Sequence, residues 1–401
     1  MLYRNIAMKV KIANIVKDEK FIDGLFDSMA LLNDKWENDY LLVRNNKPDS
    51  YKYIKNTDRI IFVPKNAILD YLVDKKYDAV FLHSLPSLPI ELIPEIDKKI
   101  KVFWFAWGWD IYQLPKEKPL IPIKLMKEET QKELDKLKTI FPSKKKTLKD
   151  YLRPLKYLFC DSPTNKVVKQ YYNAIKRVDY FSGVLEYEYK LMKSVKGFRA
   201  KRVSFKYASL HNLENPGVTE LYNGHNILIG NSAASTNNHL DIIPFLKKLS
   251  LGERKIVLPL SYPNTKDYIE DVSNTYIQKF GKNTMLLKNF MPSQEYSNIV
   301  QSCSIAIFYM ERQQAIGNIN LALKNGCKVF LSETNPVYIF YKNLGLKIFS
   351  VQRDLVQKEI DSPLSNEDIE NNRAILSKRT NKEQYIRDLN YIYECIIDDK
   401  D

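Results

Sequence analysis

A run of polar side chains follows an apolar, strand-like segment in FYMERQQAIGNINLALKNG (308–326). The four residues after the apolar run, and a glycine near the start of the following predicted helix, are Glu311, Arg312, Gln313, Gln314 and Gly317. A strand-to-helix turn points free N–H groups and the positive end of the helix dipole at a ligand above the sheet. The Arg312 guanidinium suits phosphate, and Gly317 would let a ligand approach the backbone. The pattern predicts a phosphate- and sugar-binding turn, with a capped, solvated loop as the alternative.

Three further turns follow predicted strands in the same half of the chain. They are LIGNSAASTNNH (228–239), PLSYPN (259–264) and SETNP (332–336), and their small or polar residues include Asn231, Ser232, Tyr262 and Asn335. The carboxyl ends of parallel strands meet at one edge of a sheet, where α/β proteins bind ligands. We therefore expect the four turns to line one nucleotide-sugar donor site. The GxGxxG fingerprint of dinucleotide-binding folds is absent from the sequence.

Aromatic residues dominate a candidate segment in the first half, VFWFAWGWDIYQL (102–114), which holds three of the four tryptophans. Aromatic faces suit sugar rings, and a carboxylate beside them suits a general base. We predict that Trp107, Trp109 and Asp110 bind an acceptor and that Asp110 is the base or hydroxyl clamp. The alternative is an aromatic core strand followed by a capping aspartate.

His83 ends another apolar run, VFLHSLP (80–86), and is the second candidate base, a structural histidine being the alternative. Arg312 completes the predicted catalytic set because a guanidinium can stabilise a leaving diphosphate. The spacings of His, Cys, Asp and Glu do not match a metal site, and the one DxD is residues 399–401. We therefore expect neither a metal nor another cofactor.

Alternation of short apolar runs with helical stretches predicts parallel sheets covered on both faces by helices. We expect an N-terminal acceptor-binding domain over 1–210, a polar linker over 211–225 and a nucleotide-sugar-binding domain over 226–360. The helical tail, 361–401, could pack back on the first domain. The fold class is thus α/β, with two Rossmann-like, doubly wound parallel-sheet domains facing a central cleft.

Composition bounds the function classes further. The 401 residues include 62 Lys and Arg against 48 Asp and Glu, a formal charge of +14, which favours a polyanionic partner. The four cysteines have no paired spacing and indicate a reducing compartment. An 18-residue apolar run is missing, which argues against a transmembrane helix, and charges interrupt the apolar stretches near residue 1, which argues against a signal peptide.

Half of that positive surplus lies within a basic, amphipathic helical segment placed at 116–160 in the first domain. Its central cations are Lys144, Lys145, Lys146, Lys149 and Arg153. Leucines at 148, 152 and 155 share one helical face with this spacing. A helix of this kind can lie on an anionic membrane surface, whereas a solvated helix packed on its own domain is the alternative. We do not expect nucleic acid as a partner, because no nucleic-acid-binding signature is visible.

Several of these segments resemble one known family, the TDP-N-acetylfucosamine:lipid II N-acetylfucosaminyltransferases of enterobacterial common antigen assembly. The similar segments, in chain order, are HS at 83–84, WGWDIYQL from 107, LIGNS from 228, NNHL from 237, LPLSYPNTKDYIEDV from 258, ERQQAIG from 311 and SETNP from 332. The resemblance implies a GT-B fold. It also implies transfer of a deoxy-amino sugar from a dTDP-sugar to an undecaprenyl-diphosphate-linked saccharide at the inner leaflet.

These expectations combine into a metal-independent glycosyltransferase whose partners are a nucleotide sugar, a lipid-linked saccharide acceptor and an anionic membrane surface. Its expected location is the cytoplasmic face of the inner membrane, as a peripheral protein. Two alternatives stay open at this point. One is a sugar-nucleotide epimerase or hydrolase of the same fold, and the other is a non-catalytic, basic membrane- or nucleic-acid-binding protein.

Overall fold

A computed structural model describes residues 9–116, 118–140, 163–208, 224–262, 266–379 and 381–398. The chain divides into two compact units. Unit 1 comprises Met1–Pro122, Arg153–Pro216 and Thr380–Asp401, and unit 2 comprises Ile123–Leu152 and Gly217–Arg379. The five cations predicted to contact a membrane, from Lys144 to Arg153, lie outside the described residues, as does most of the predicted linker.

Thirteen strands are present in the described ranges. In chain order they are β1 (Val10–Ile15), β2 (Trp36–Arg44), β3 (Ile60–Pro64), β4 (Ala79–His83), β5 (Lys101–Phe105), β6 (Tyr180–Ser182), β7 (Lys201–Arg202), β8 (Asn226–Ile229), β9 (Ile256–Pro259), β10 (Thr284–Leu287), β11 (Cys303–Phe308), β12 (Lys328–Leu331) and β13 (Phe349–Ser350). Central strands such as β4 and β9 are buried on both faces, as expected for parallel strands covered by helices.

Fifteen α-helices are present in the same ranges. They are α1 (Ile22–Met29), α2 (Ile68–Asp74), α3 (Trp109–Tyr112), α4 (Glu128–Ile140), α5 (Pro163–Arg177), α6 (Glu186–Lys193), α7 (His239–Leu246), α8 (Lys266–Phe280), α9 (Ser293–Gln301), α10 (Ile316–Lys324), α11 (Pro336–Asn343), α12 (Val351–Asp354), α13 (Gln357–Asp361), α14 (Asn366–Arg379) and α15 (Lys382–Ile397). None of them is long and apolar enough to span a membrane.

Each unit contains one sheet whose described strands pair in parallel. In unit 1 the strand order is β3-β2-β1-β4-β5-β6-β7, so the direction of winding reverses between β1 and β4. In unit 2 the order is β10-β9-β8-β11-β12-β13, with the reversal between β8 and β11. This is the doubly wound topology predicted from the alternating pattern, and it creates one topological switch point in each sheet.

Helix α4 lies in unit 2, although it belongs to the segment predicted to be part of the first domain. The Asp241 carboxylate of α7 accepts hydrogen bonds from the backbone N–H groups of Glu129 (2.8 Å) and Thr130 (3.0 Å), and so caps the first turn of α4. Leu134 and Leu137 of α4 pack against the apolar core of unit 2. These contacts join α4 to residues that are distant in the sequence. The composition of the segment 116–160 could therefore not show that α4 packs in unit 2.

The C-terminal tail, predicted as one element from residue 361, is divided between the units. Helix α14 packs in unit 2, where Ile369 is part of the apolar core. The Asn372 side chain accepts a hydrogen bond from the Lys347 backbone N–H and donates one to the Lys347 carbonyl oxygen. Helix α15 packs in unit 1, where Tyr385 is buried and donates a hydrogen bond to Ser28 Oγ (3.0 Å). Residues 366–379 therefore pack in unit 2, whereas the described residues after them, 381–398, pack in unit 1.

Candidate functional site

The switch point of unit 2 brings together two of the predicted turns. Because β8 and β11 are neighbours in the sheet, residues 230–238 after β8 lie beside residues 309–315 after β11. Such a point opens a crevice between two diverging loops, and this crevice is where doubly wound sheets bind ligands.

The turn after β8 requires a glycine at its first position. Gly230 has a φ of +68°, and a Cβ added there would lie 2.7 Å from Asn237 Oδ1 and 3.0 Å from His239 Nε2. The same Asn237 oxygen accepts a hydrogen bond from the Asn231 backbone N–H (3.1 Å), and the Asn237 amide donates to the Ser232 carbonyl oxygen (2.9 Å). Asn237 thus holds Asn231 and Ser232 in place from within the loop.

Gln314 links the two loops at the switch point. Its Nε2 donates to Asn231 Oδ1 over 3.1 Å, and its Oε1 accepts from the Thr236 hydroxyl over 2.7 Å. The next residue, Ala315, adopts a φ of +63° at the N-cap of α10, a conformation that non-glycine residues rarely adopt outside constrained sites. The structure therefore brings together Asn231 and Gln314, as predicted, and adds Thr236, which the sequence did not single out.

Buried side-chain atoms near this switch point that have no hydrogen-bond partner among the described residues include Gln313 Oε1 and His239 Nε2. Burial lowers the pKa of His239 to about 3, so the ring is neutral. Its Nδ1 lies 3.3 Å from the Tyr268 hydroxyl. Buried polar atoms are normally paired, so these two atoms are exceptions within the described part of the chain. Arg312 is also buried, and its Nη1 donates to the Gln313 carbonyl oxygen (2.7 Å).

Two further predicted donor residues, Gly317 and Tyr262, lie next to these loops. A Cβ added at Gly317 would have no atom within 4 Å, so the first turn of α10 faces open space. The Tyr262 carbonyl oxygen accepts a hydrogen bond from the Ala233 N–H (2.6 Å), which ties the turn after β9 to the turn after β8. Three of the four predicted turns are thereby joined at one edge of the sheet.

The fourth turn, after β12, is held by Glu311 and Asn335. The Glu311 carboxylate accepts hydrogen bonds from the hydroxyl groups of Ser332 (2.9 Å) and Thr334. Asn335 was predicted to bind the donor, but both its polar atoms serve the fold. Its Oδ1 caps α11 at the Val337 N–H (2.9 Å), and its Nδ2 donates to the Met310 carbonyl oxygen (3.0 Å). Asn335 therefore positions the turn rather than offering its side chain to a ligand.

Lys127 is a cation at this edge that the sequence analysis did not single out. Its ammonium forms an ion pair with Glu311 and lies 4.2 Å from the centre of the Tyr309 ring. Its backbone N–H donates to Asn238 Oδ1 (2.8 Å), and the Asn238 amide donates in turn to the Tyr309 carbonyl oxygen (3.0 Å). A cavity of about 520 Å³ lies here, walled by Lys124, Lys127, Asp241, Tyr309 and Glu311 among others. No short motif around residue 127 could have revealed this contact.

In unit 1, His83 lies at the other switch point and is fully buried. The Asn14 amide nitrogen donates to Asn38 Oδ1 (3.0 Å), so Asn14 Oδ1 faces His83 Nε2 (3.1 Å) as an acceptor. His83 Nδ1 then accepts from the Tyr207 hydroxyl (2.7 Å), whose oxygen accepts from Trp107 Nε1 (2.8 Å). Burial lowers the pKa of His83 to about 3. Both ring nitrogens are therefore used within the fold.

Asp110 is also fully buried. Its carboxylate accepts hydrogen bonds from the backbone N–H groups of Leu85 (3.0 Å) and Trp107 (2.9 Å) and from Trp104 Nε1 (2.8 Å). Burial raises the pKa of the Asp110 carboxyl, although these hydrogen bonds act in the opposite direction. The structure thus gives Asp110 and His83 positioning roles, because a substrate hydroxyl could not reach either side chain without rearrangement of this core.

The two predicted acceptor tryptophans are half-buried and remain accessible. Trp107 packs edge-on against Phe21, with ring centres 4.8 Å apart, and the Trp109 ring centre lies 5.3 Å from the Lys17 ammonium. Lys17 and the nearby Glu19 belong to the loop after β1, which the sequence analysis did not use. The charged run VKDEK, directly after the first predicted strand, is the sequence feature that could have indicated these two residues.

Among the described residues, no three His, Cys, Asp or Glu side chains lie together as a metal-binding group. Cys303, Cys327 and Cys395 are free and buried.

A protein-family model, 4-alpha-L-fucosyltransferase (glycosyl transferase group 56), matches residues 173–375. The chain belongs to this family. Three similar solved structures are HepE from Anabaena in complex with UDP (TM-score 0.62, 11% identity, covering 97% of this chain and 100% of that chain), sucrose-phosphate synthase from Thermosynechococcus elongatus (0.60, 10%, 96% and 99%) and a glycosyltransferase from Rickettsia africae (0.57, 12%, 97% and 99%).

The family membership confirms the prediction of a glycosyltransferase. The two parallel-sheet units and the similarity to these solved structures confirm the prediction of the GT-B fold. In this group 56 glycosyltransferase, the family match covers residues 173–216 of unit 1 and every described strand of the second sheet. The match includes the turns after β8, β9, β11 and β12. The donor turns predicted from the sequence therefore lie within the part of the chain that defines the family.

Proposed function

We propose that this glycosyltransferase moves a deoxy-amino sugar of the N-acetylfucosamine type from a dTDP-linked donor to an undecaprenyl-diphosphate-linked saccharide. The proposal combines the family membership with the sequence resemblance carried by the turns at 228–239, 258–272 and 311–317. The reaction would take place at the cytoplasmic face of the inner membrane.

The single observation that carries the donor part of the proposal is the Gln314 bridge between the loops after β8 and β11. It places amide groups at the switch point, where a ligand can contact both loops. HepE, which shares the fold, binds UDP and UDP-glucose. We infer that Asn231, Ser232, Gln313 and Gln314 contact a nucleotide diphosphate in this protein.

Stabilisation of the leaving diphosphate would come from the protein itself. We assign this role to Arg312 and to the first-turn N–H groups of α10, which has open space beside Gly317. Cations and helix N-termini that are positioned before the reaction stabilise developing negative charge strongly. The mechanism proposed here therefore requires no metal ion or other cofactor.

The acceptor would bind unit 1 near Trp107 and Trp109, whose half-buried rings suit a sugar face. We propose that the basic residues Lys144, Lys145, Lys146, Lys149 and Arg153 contact the anionic membrane surface that holds the lipid-linked acceptor. Vesicle co-sedimentation of the full chain, with and without anionic lipid, tests this assignment. Equal binding to neutral and anionic vesicles would remove it.

A ligand panel tests the donor. A nucleotide that binds only the native state raises the melting temperature, so dTDP should raise it more than UDP or GDP does. Incubation with dTDP-4-acetamido-4,6-dideoxygalactose and an undecaprenyl-diphosphate-linked saccharide, followed by mass spectrometry, should show the extended lipid-linked product. Consumption of the nucleotide sugar at the same rate without acceptor would indicate an epimerase or hydrolase. Failure of all three nucleotides to raise the melting temperature would contradict nucleotide-sugar use.

A further inference from the structure

The loop after β1, residues 16–21, occupies the switch point of the first sheet. Because β1 and β4 are neighbours and the winding reverses between them, this loop lies at the edge where a doubly wound sheet binds its ligand. His83 and Asp110, the residues that the sequence predicted as the base, are fully buried next to this loop. The loop instead presents Lys17 and Glu19, which are only partly buried.

The backbone that carries Glu19 is held firmly. The neighbouring Asp18 carboxylate accepts hydrogen bonds from three consecutive backbone N–H groups, those of Lys52, Tyr53 and Ile54. The Glu19 carbonyl oxygen accepts from the Ile22 N–H (3.2 Å) at the start of α1. The Asp18 carboxylate therefore holds the loop against residues 52–54. The backbone of the neighbouring Glu19 is fixed by this contact and by its own hydrogen bond with Ile22.

Charged groups surround the Glu19 carboxylate. They are Lys17, Asp18 and Lys20 from its own loop and Lys52 from the segment that Asp18 anchors. Burial raises the pKa of Glu19 in spite of the three ammonium groups, and burial lowers the pKa of Lys17. A carboxylate with a raised pKa accepts a proton more readily near neutral pH than an ordinary glutamate does. Lys17, the next-but-one residue before Glu19, lies with its ammonium 5.3 Å from the centre of the Trp109 ring, so the loop that carries Glu19 contacts one of the two proposed acceptor tryptophans.

We propose that Glu19 is the catalytic base that takes the proton from the acceptor hydroxyl group. This inference rests on the proposed function. In the step, the hydroxyl oxygen forms a bond to the anomeric carbon as the bond from that carbon to the phosphate oxygen breaks. The bonding electron pair leaves with the nucleotide diphosphate, and the hydroxyl proton moves to the Glu19 carboxylate.

Azide distinguishes a base from a structural residue, because it is already an anion and attacks the anomeric carbon without losing a proton. The full-length Glu19→Gln variant should transfer sugar to the undecaprenyl-diphosphate-linked saccharide at least ~100-fold more slowly than the wild type. Its formation of glycosyl azide from dTDP-4-acetamido-4,6-dideoxygalactose and sodium azide should stay within about threefold of the wild-type rate. The control is Glu95→Gln, which changes an exposed glutamate of unit 1 and should leave both rates unchanged.

Two results would overturn the assignment. One is transfer to the saccharide by Glu19→Gln within about threefold of the wild-type rate, since a general base normally contributes far more. The other is an equal loss of both reactions at unchanged melting temperature, which would mean that Glu19 supports the site without moving a proton. A wild-type protein that transfers no sugar to the saccharide would instead contradict the proposed function, so the two failures are distinguishable.

Discussion

The side-chain amide of Gln314 donates a hydrogen bond to Asn231 Oδ1 over 3.1 Å, although the two residues are 83 positions apart in the sequence. Each belongs to a loop that follows a central strand of the second sheet. Their contact exists because β8 and β11 pair in parallel, with Ile229 opposite Ile307 near their carboxyl ends. The bridge is thus a direct consequence of the strand order.

Loss of this bridge should weaken donor binding and destabilise unit 2. In Gln314→Ala, the buried Thr236 hydroxyl loses its acceptor, and an unsatisfied buried group costs about 1–3 kcal/mol. Urea unfolding should report this loss, and the rise in melting temperature caused by dTDP should shrink. Gln384→Ala, on α15 of unit 1, is the control and should keep the full response to dTDP. An unchanged dTDP response in Gln314→Ala would separate the bridge from donor binding.

Arg312 should matter for turnover more than for folding. If its guanidinium stabilises the leaving diphosphate, Arg312→Ala should lower kcat by ~10²-fold or more. Steady-state kinetics with the dTDP-sugar donor measures the effect. Arg387→Ala, an exposed arginine on α15, provides the matched control and should keep its wild-type kcat. A near-normal kcat for Arg312→Ala would remove this residue from the mechanism.

Two glycines should respond in opposite ways to alanine. Gly230→Ala places a methyl group 2.7 Å from Asn237 Oδ1 at a positive φ, so it should lower the free energy of unfolding by about 1–3 kcal/mol. Gly317→Ala meets no neighbouring atom and adds helix propensity, so stability should stay level or rise by up to about 1 kcal/mol.

The same Gly317→Ala methyl group should reduce affinity for the nucleotide sugar, because it occupies the open space beside α10. Calorimetric titration with dTDP compares the two proteins. Equal affinity for dTDP in Gly317→Ala and the wild type would show that the ligand does not approach this turn.

Asn238 should be the most sensitive of the buried asparagines. It adopts a left-handed conformation, and its side chain hydrogen-bonds the backbone of Leu125, Lys127 and Tyr309. Asn238→Ala should cost on the order of 2–4 kcal/mol, since several buried groups lose partners and alanine is strained at this φ. Asn325→Ala is the control, because the Asn325 amide nitrogen is buried without a partner in the described ranges. Similar losses in the two variants would contradict the anchoring role of Asn238.

The buried histidines predict sensitivity to acid. The pKa values of His83 and His239 lie near 3 in the folded protein, below the ordinary value of 6.5. The unfolded chain therefore takes up protons that the folded chain refuses, so stability is full above pH 6.5 and falls as the pH drops towards 3. Each histidine contributes up to ~1.4 kcal/mol per pH unit in that window.

Urea unfolding at pH 7.5, 6.5 and 5.5 measures this loss, and His239→Gln should reduce its steepness. A free energy of unfolding that stays level between pH 7.5 and 5.5 would argue against two neutral, buried imidazoles.

The sequence predicted the parallel sheets and the ligand edge of unit 2 because both depend on local patterns. Apolar runs of four to six residues specify strands such as β9 and β11, and the polar residues that follow them must lie at one edge. Asn231 and Gln314 could be placed together on that basis alone. The position of Lys127 could not be predicted, because it depends on a hydrogen bond from its backbone N–H to Asn238, 111 residues further along the chain.

Burial explains why the predicted base differs from the one inferred here. A carboxylate after an aromatic strand has the same sequence signature whether it faces a cleft or caps a turn. Asp110 caps a turn, and its three donors come from Leu85, Trp104 and Trp107. Glu19 lies in the charged run VKDEK, residues 16–20, and a run of this composition predicts only a solvated loop. Only the strand order shows that this run sits at the switch point of the first sheet.

The return of the chain to unit 1 after residue 379 has a practical consequence for dissecting this enzyme. Helix α15 supplies Leu389, Ile392 and Ile396 to the apolar core of unit 1, yet it is encoded after the whole second sheet. A fragment that stops at residue 210 would leave that apolar surface bare and prone to aggregation. Expressing either half separately will require a rearranged gene in which residues 381–398 are rejoined to the first sheet and residues 123–140 to the second.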